Sequence, residues 1–333
     1  MIESIAKLVR CVSLTEAEAS AAFEEIMRGD ATPIQIAGFV VALRMKGETV
    51  EELSGFARTA RAMATPINVE GDLLDTCGTG GDGLSTFNIS TLSAIVSAAC
   101  GARVAKHGNR AASSMCGSAD VLEQLGVKID LGPEGVARCI EGAGIGFLFA
   151  PIFHPSFRFA AVPRRELAMR TVFNVLGPLC NPAGARYQAL GVADGTLAGK
   201  MADVLVRLGV ESAIVFHGGD GMDELSVSGP SHVIEIDGGR KEYELHPSDL
   251  GLAPASVDAM RGGGPEENAR IAREILDGAP GPRRDVVLLN TAAALRAAGL
   301  AKDWKEGLKA GAEAIDSGRA GDVLQRWAKI SQE

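Results

Sequence analysis

Four groups of residues have types and spacing that could do chemistry. Residues 78–83 read Gly78-Thr79-Gly80-Gly81-Asp82-Gly83. Four glycines in six residues let the backbone take φ > 0 and bring its N–H groups against a bound group with no Cβ in the way, and such a nest of donors suits phosphate oxygens. The spacing matches neither GxxxxGK[ST] nor GxGxxG with a following acid, and a bare turn needs only one or two glycines. Residues 106–110, Lys106-His107-Gly108-Asn109-Arg110, strengthen the phosphate reading by supplying a cation, an imidazole and an amide together. Asp223-Glu224 comes next. Adjacent acids on a loop are usually just solvated, but on a rim that also holds a polyphosphate they repel unless Mg2+ lies between them, with the Ser90 hydroxyl available as a further ligand. A fourth cluster sets His154 beside Arg158, Arg164, Arg165 and Arg170. Arg164 follows Pro163 near a loop entering the same rim, where a guanidinium could grip a carboxylate with two parallel hydrogen bonds. Arg165 and Arg170 read as solvated charge or partners of Glu166.

The elements that must position these groups follow from pattern. Leu73-Leu74 opens a short apolar run that the glycines break, and Asn88-Ile89-Ser90-Thr91 leads into the apolar helix LSAIVSAAC. Strand, glycine loop and helix N-terminus in that order make an anion site. From Gly71 onward, β-rich runs at 103–105, 127–130, 145–150, 188–192, 212–216 and 232–236 alternate with helical segments, which predicts an α/β fold with a largely parallel sheet. Ligands on such sheets sit beyond the carboxyl ends of the strands. The Gly78 loop, Lys106, residues 151–155 and the turn at 217–221 all follow predicted strands and should converge on one rim. Residues 1–68 read as four short helices: Ser13 with Glu16 and Thr49 with Glu52 form capping boxes, Thr32-Pro33 caps the helix between, and Gly29 and Gly47 are stops. This unit is too small for a core of its own and must pack on something. From Pro265 two or three amphipathic helices are expected.

Composition bounds the remaining readings. At 333 residues the chain exceeds one ordinary core. A net charge of −9 and a pI near 5.2 argue against a nucleic-acid or anionic-membrane surface, either of which needs a basic stripe. Six cysteines lack CxxC pairing or zinc spacing and are expected as buried free thiols. The first residues lack the apolar stretch of a secretory signal, and no run approaches the ~18 apolar residues of a spanning helix. The expected location is the cytoplasm.

In order along nearly the whole chain, Gly78-Thr79-Gly80-Gly81-Asp82, Asn88-Ile89-Ser90-Thr91, residues 106–110, His154-Pro155, Arg164-Arg165-Glu166-Leu167, the stretch from Arg170-Thr171 to Pro178-Leu179, Asn181-Pro182, Asp223-Glu224-Leu225, Asn268-Ala269 and Leu289-Asn290 resemble the motifs of the anthranilate phosphoribosyltransferases. The fold this resemblance implies is a small helical domain, residues 1–69 with a return segment near 158–177, hinged to a large α/β domain, residues 70–333. That fold is shared with the pyrimidine nucleoside phosphorylases and is usually dimeric through the helical domain. The implied activity is transfer of the phosphoribosyl group of 5-phosphoribosyl diphosphate (PRPP) to the amino nitrogen of anthranilate, with release of pyrophosphate, in tryptophan biosynthesis. Carried over by position, the resemblance assigns PRPP to Gly78, Gly81, Asp82, Thr86, Asn88, Ile89, Ser90, Thr91, Lys106, His107, Gly108, Asn109, Arg110, Ser113, Ser114 and Ser118. It assigns anthranilate to Gly78, Asn109 and Arg164 with His107 and His154 lining its path, and Mg2+, two ions per subunit, to Ser90, Asp223 and Glu224. Val162-Pro163 departs from the family's usual Pro-Val order, and Phe159 stands where His or Tyr is frequent; both differences fall where anthranilate approaches.

The reaction read from the residues agrees with the implied one. Breaking the bond to pyrophosphate builds negative charge on the leaving group, so metal and backbone donors are the main requirement. An aniline-type nitrogen is neutral at pH 7, no residue is assigned as general base, and no Ser/His/Asp or Cys/His constellation is apparent. A pyrimidine nucleoside phosphorylase would share the fold and a similar loop, but residues 106–110 and the Arg164 block match the anthranilate enzymes better. A nucleic-acid-binding relative of the same fold would be basic and lack the carboxylate pair.

Overall fold

The computed structural model describes residues 1–111 and 115–333. The chain opens with α1 (Ile2–Val9), α2 (Glu16–Arg28), α3 (Pro33–Lys46) and α4 (Val50–Ala62). Each of the last three starts at a threonine whose side chain accepts an N–H three residues on while the glutamate or glutamine there reaches back: Thr15 with Glu18, Thr32 with Gln35, Thr49 with Glu52. The first box therefore lies two residues beyond the expected Ser13 and Glu16. Two overlapping matches compete there, and Leu14 decides between them: it is buried and its N–H donates to Glu52 at 2.9 Å, which keeps residue 14 outside the helix. Glu52, fully buried, also receives the Lys46 ammonium at 2.8 Å.

The α/β part then runs β1 (Leu74–Gly78), α5 (Ile89–Ala99), β2 (Val104–Gly108), α6 (Ser118–Gln124), α7 (Pro133–Ala143), β3 (Ile145–Phe149), α8 (Ala150–Phe153), α9 (Ala161–Leu167), α10 (Val172–Leu176), β4 (Tyr187–Gly191), α11 (Ala198–Arg207), β5 (Ser212–Gly218), β6 (Ser231–Asp237) and β7 (Arg240–Leu245). It ends with α12 (Pro265–Leu276), α13 (Pro282–Ala297), α14 (Trp304–Asp316) and α15 (Arg319–Ser331). The seven strands form one sheet in the order β3-β2-β1-β4-β5-β6-β7, parallel from β3 through β5 and antiparallel at β6 and β7.

Several expectations are corrected. Residues 127–130 alternate like a strand, and Val127 and Ile129 are indeed buried, but the Val127 N–H closes the end of α6 on Leu122 O and the Lys128 N–H goes to Ser331 Oγ, so no ladder forms. β7, Arg-Lys-Glu-Tyr-Glu-Leu, is an edge strand that its charges hid. Lys106, His107 and Gly108 lie inside β2 rather than after it. The C-terminal part holds four helices, and α13 is buried around most of its circumference rather than amphipathic, because it packs between α5, α14 and the sheet. The cysteines are free, but Cys11 is exposed and Cys77 and Cys100 are half-buried.

One core lies between the sheet and α5, α12, α13, α14 and α15. A second joins α1 to α4 to α10, α11 and the opposite face of β4, β5 and β6, so the helical bundle shares its core with the α/β part. The chain returns to the bundle through residues 155–160, α9 and α10, which pack on α2, α3 and α4. Phe23 of α2 meets Phe56, Phe157 and Phe173 there, with ring centroids 5.3, 6.2 and 5.7 Å away.

Candidate active site

β1 has β2 on one side and β4 on the other, so the chain reverses its direction of sheet growth at β1, and the loops beyond the carboxyl ends of β1 and β4 flank the crevice this creates. Gly78 ends β1. A Cβ there would collide with the Asp223 carboxylate, so only glycine lets the loop after β5 close over β1. Gly80, Gly81 and Gly83 take φ of +65°, +73° and +76°, and the Gly80 N–H donates to Asp223 Oδ2 at 2.6 Å. Thr79 ties the loop to β4, its N–H reaching Gly191 O and its Oγ1 accepting from Ala193, each at 3.0 Å. Among the described residues the N–H groups of Gly81, Asp82 and Gly83 have no protein acceptor. These are the donors left for an anion.

Below the loop, the Lys106 side chain is buried and its ammonium donates to Thr76 O at 2.6 Å and to Ser90 Oγ at 3.4 Å. Burial lowers its pKa, while Asp75 and Glu224 pull it back up. The Ser90 N–H, at the start of α5, donates to Glu224 Oε1 at 3.0 Å. Asn88 bridges elements through its side chain, donating to Cys116 O at 3.1 Å and accepting from Asn268 at 2.9 Å. Ile89 and Thr91 are buried in α5, and Thr86 forms an isolated bridge to Arg261.

Glu224 is buried, and Asp223 is half-buried beside it. Burial and the neighbouring Asp82 carboxylate push Asp223 up to about 6. Burial and Asp223 push Glu224 well above the ordinary carboxylate range, against the pull of Lys106. Asp82 Oδ2 is buried and has no partner among the described residues. Crowded carboxylates with an orphaned oxygen fit a divalent cation in this corner. Among the described residues no three acidic, histidine or cysteine side chains converge tightly enough to hold a metal by themselves, so a cation here completes its shell from substrate oxygens and water, the habit of Mg2+.

The other side of the cleft is made of rings. His107 and His154 are buried with centroids 5.1 Å apart; His154 meets Phe157 at 5.3 Å, Phe157 meets Phe173 at 5.9 Å, and the Arg164 guanidinium lies over the Phe173 ring at 5.3 Å. A continuous path of contacts thus links the end of β2 to Arg164. His107 Nδ1 lies 3.2 Å from Gly177 O and His154 Nε2 2.9 Å from Cys180 O. Each carbonyl can only accept, so those nitrogens carry the hydrogens. That leaves His107 Nε2, buried and without a partner among the described residues, as a bare acceptor. Burial and His154 hold His107 down to about 3, and burial holds His154 down to about 4. Both rings are neutral at physiological pH. Arg164, half-buried, has no carboxylate partner among the described residues, and burial lowers its pKa.

The remaining expected residues are more dispersed. Asn109 is exposed; its Oδ1 accepts from the Arg110 N–H at 2.8 Å, and its carbonyl from Ser118 Oγ at 3.2 Å. Gly108 is needed because a Cβ would strike Ser118 and Phe147. Arg110 turns onto α6, paired with Asp120 and Glu123. Ser113 and Ser114 lie outside the described residues.

Sequence reasoning missed two positions. Arg170 is not merely solvated: its Nη1 donates to Gly80 O and Gly81 O at 2.9 and 2.7 Å, tying the return segment to the glycine loop. No local pattern signals this. Asp75 accepts the His107 N–H at 3.2 Å and Asn181 Nδ2 at 2.8 Å, and Asn181 also donates to Ala105 O at 2.8 Å. Here a signal existed, since an acid inside the apolar run Leu73-Leu74-Asp75 asks for a buried partner.

A helical bundle thus shares its core with an α/β sheet whose switch point carries a glycine loop, and each part matches a known family. Residues 70–321 match the glycosyl transferase family a/b domain, and residues 2–64 its helical bundle domain. Anthranilate phosphoribosyltransferase 2 of Streptomyces coelicolor is 58% identical over 96% of both chains. The crystal structure of anthranilate phosphoribosyltransferase from Thermus thermophilus superposes with a TM-score of 0.95 at 45% identity, covering 99% of each chain. The Saccharomyces cerevisiae enzyme in complex with PRPP and Mg superposes at 0.91 and 29% identity, over 99% of this chain and 97% of that one. This chain belongs to the anthranilate phosphoribosyltransferase family.

Proposed function

We propose that this chain transfers the phosphoribosyl group of PRPP to the amino nitrogen of anthranilate, releasing pyrophosphate, as a step of tryptophan biosynthesis. The observation that carries the reading is the meeting, at one switch point, of loop N–H groups lacking acceptors, the buried Lys106 and a crowded carboxylate corner, opposite a ring-lined path ending at an unpaired arginine. The Gly78 loop and Lys106 bind the diphosphate, with Asn88, Ser90, Thr91 and Ser118 around the phosphoribosyl group. Asp223, Glu224 and Ser90 hold Mg2+, for which two ions per subunit is the working stoichiometry. When bound, Mg2+ supplies positive charge to the departing pyrophosphate. Lys106, held near Glu224 and Ser90, places a further positive charge under the leaving group, and the loop N–H groups stabilise its oxygens without having to reorient.

Arg164 takes the anthranilate carboxylate by a bidentate contact. With Asn109, His107 and His154 along the path, it aims the amine at the ribose carbon. The amine is neutral at pH 7 and attacks without prior deprotonation. No general base is assigned. A neutral imidazole with a free Nε2 lies on the path, but His107 is placed here for orientation. An assay with PRPP, Mg2+ and anthranilate, following loss of anthranilate fluorescence, tests the reading. Turnover is expected; no turnover at any Mg2+ concentration, with phosphorolysis of thymidine or uridine instead, would replace it by a pyrimidine nucleoside phosphorylase.

We also place the subunit in a homodimer through the helical bundle. The support is an apolar groove of about 520 Å³ along α1 and α3, lined by Leu8, Val9, Ile34, Val41 and Met45 among others. Val9, Ile34 and Met45 are 68%, 84% and 84% exposed, more apolar surface than a lone bundle leaves to water without reason. Light scattering should give a dimer at micromolar concentration and Ile34→Glu a monomer; a monomeric wild type rejects the proposal. Free rather than bridged cysteines support a cytoplasmic location.

A further inference from the structure

Asn290 sits in the middle of α13 among buried hydrocarbon and is itself 3% exposed. An amide in such a place is costly unless its donors and acceptor are all used. They are all used: Oδ1 accepts the Leu225 N–H at 3.0 Å and Nδ2 donates to Leu225 O at 3.1 Å, while the second Nδ2 hydrogen goes to Val286 O of the same helix at 2.9 Å. The side chain thus satisfies both polar groups of a single backbone residue, as a neighbouring strand would. Residues 219–230, between β5 and β6, have no helix or strand to do this for them. Leu225 directly follows Glu224.

The opposite flank of the same loop is also tied down. Asp220 accepts the Met222 N–H and the hydroxyls of Ser226 and Ser228, and the Ser226 N–H reaches Ser231 Oγ at 3.0 Å. Asp220 and Ser226 belong to the loop itself, whereas Asn290 comes from a different layer of the molecule. It is therefore a tie from outside the loop, and the one that holds its backbone, whereas the Gly80 and Ser90 N–H groups meet the Asp223 and Glu224 carboxylates themselves.

We propose that Asn290 is a positioning residue for the metal corner: by holding the Leu225 backbone at two points it sets the direction of the Glu224 and Asp223 carboxylates toward the cation. This rests on the reading that these carboxylates hold Mg2+. An apolar residue of similar volume would fill α13 equally well, so packing alone does not account for the amide. Groups that orient metal ligands without touching the metal change affinity about tenfold to a hundredfold when removed.

The test is Mn2+ binding to the full chain in the presence of PRPP, followed by the free-Mn2+ electron spin resonance signal, alongside melting temperatures. Four proteins are compared: wild type, Asn290→Ala, Leu289→Ala and Glu224→Gln. Leu289→Ala is the control, since it empties the same core from the adjacent position of α13 and leaves the hydrogen bonds to the Leu225 backbone in place. Asn290→Ala should weaken Mn2+ binding about tenfold or more, while Leu289→Ala lowers the melting temperature but binds Mn2+ like wild type. Wild-type Mn2+ affinity in Asn290→Ala, or equal weakening in Leu289→Ala, overturns the positioning role. Wild-type affinity in Glu224→Gln overturns the metal assignment itself, a separate result. Should Asn290→Ala not fold, Asn290→Ser takes its place, its hydroxyl too short to make the two-point pairing.

Discussion

The two sides of the cleft are built on different principles. On the side proposed for the phosphates the groups are backbone N–H groups and short side chains at strand ends, held by the parallel register of β1 with β4 and by contacts such as Gly80 to Asp223. On the side proposed for the anthranilate carboxylate they are long or aromatic side chains, most of them on the short return segment that leans on the bundle, with Arg164 over a ring face and in no ion pair among the described residues. A polyanion is best met by many fixed dipoles, whose geometry comes with the fold. A single carboxylate is best met by one guanidinium, whose geometry depends on what packs around it. The phosphate side should therefore respond to mutation mainly through charge and metal, and the carboxylate side through one contact.

The largest expected effect is at the metal corner. Asp223→Asn or Glu224→Gln should reduce turnover at low Mg2+ by about a hundredfold or more, since each removes charge stabilisation from the departing pyrophosphate. An unchanged Mg2+ dependence of the steady-state rate in both variants contradicts the assignment. A smaller effect is expected at Arg170, which spans the two sides. Arg170→Ala frees the Gly80 and Gly81 carbonyls and should raise the KM for PRPP several-fold, up to about tenfold, with the KM for anthranilate near wild type. If only the anthranilate KM moves, the contact serves the other side.

The remaining effect concerns stability rather than turnover. His107 and His154 titrate at about 3 and about 4 in the folded protein because burial opposes their charged forms. The unfolded chain takes up protons near pH 6.5, so the unfolded state binds more of them below that value. The stability these rings allow is complete above about pH 6.5 and is lost as pH falls toward 4 and 3, by roughly 2 kcal/mol per ring at pH 5. Calorimetry between pH 7 and pH 5 should show a shallower loss of melting temperature for His154→Gln than for wild type. Equal slopes would mean that the rings are not held neutral.

What could be read from the sequence follows the same division. The glycine loop, the β2 basic stretch and the acid pair are legible because backbone chemistry leaves a compositional trace: four glycines in six residues, or two adjacent acids, are unusual enough to argue from. Arg164 was legible only through its proline neighbour and its resemblance to known enzymes. Arg170 was not legible, because its partners are two carbonyl groups some 90 residues away, and carbonyls have no sequence signature. Residues 127–130 misled for a related reason. Their alternation reports burial of Val127 and Ile129, and a connection that packs on α15 satisfies burial as well as a strand does. β7 failed in the opposite direction, since an edge strand can be charged on its open face.

The measurement that tests the division most directly is the pair of KM values in Arg164→Ala, taken with its melting temperature. Loss of a charge-assisted bidentate contact is worth roughly 1.5 to 3 kcal/mol. The KM for anthranilate should therefore rise about tenfold to a hundredfold while the KM for PRPP stays near wild type, and Arg164→Lys should recover only part, because an ammonium lacks the planar fork. Equal weakening for both substrates, together with a lowered melting temperature, would contradict the account and make Arg164 a brace between the bundle and the sheet rather than the carboxylate anchor.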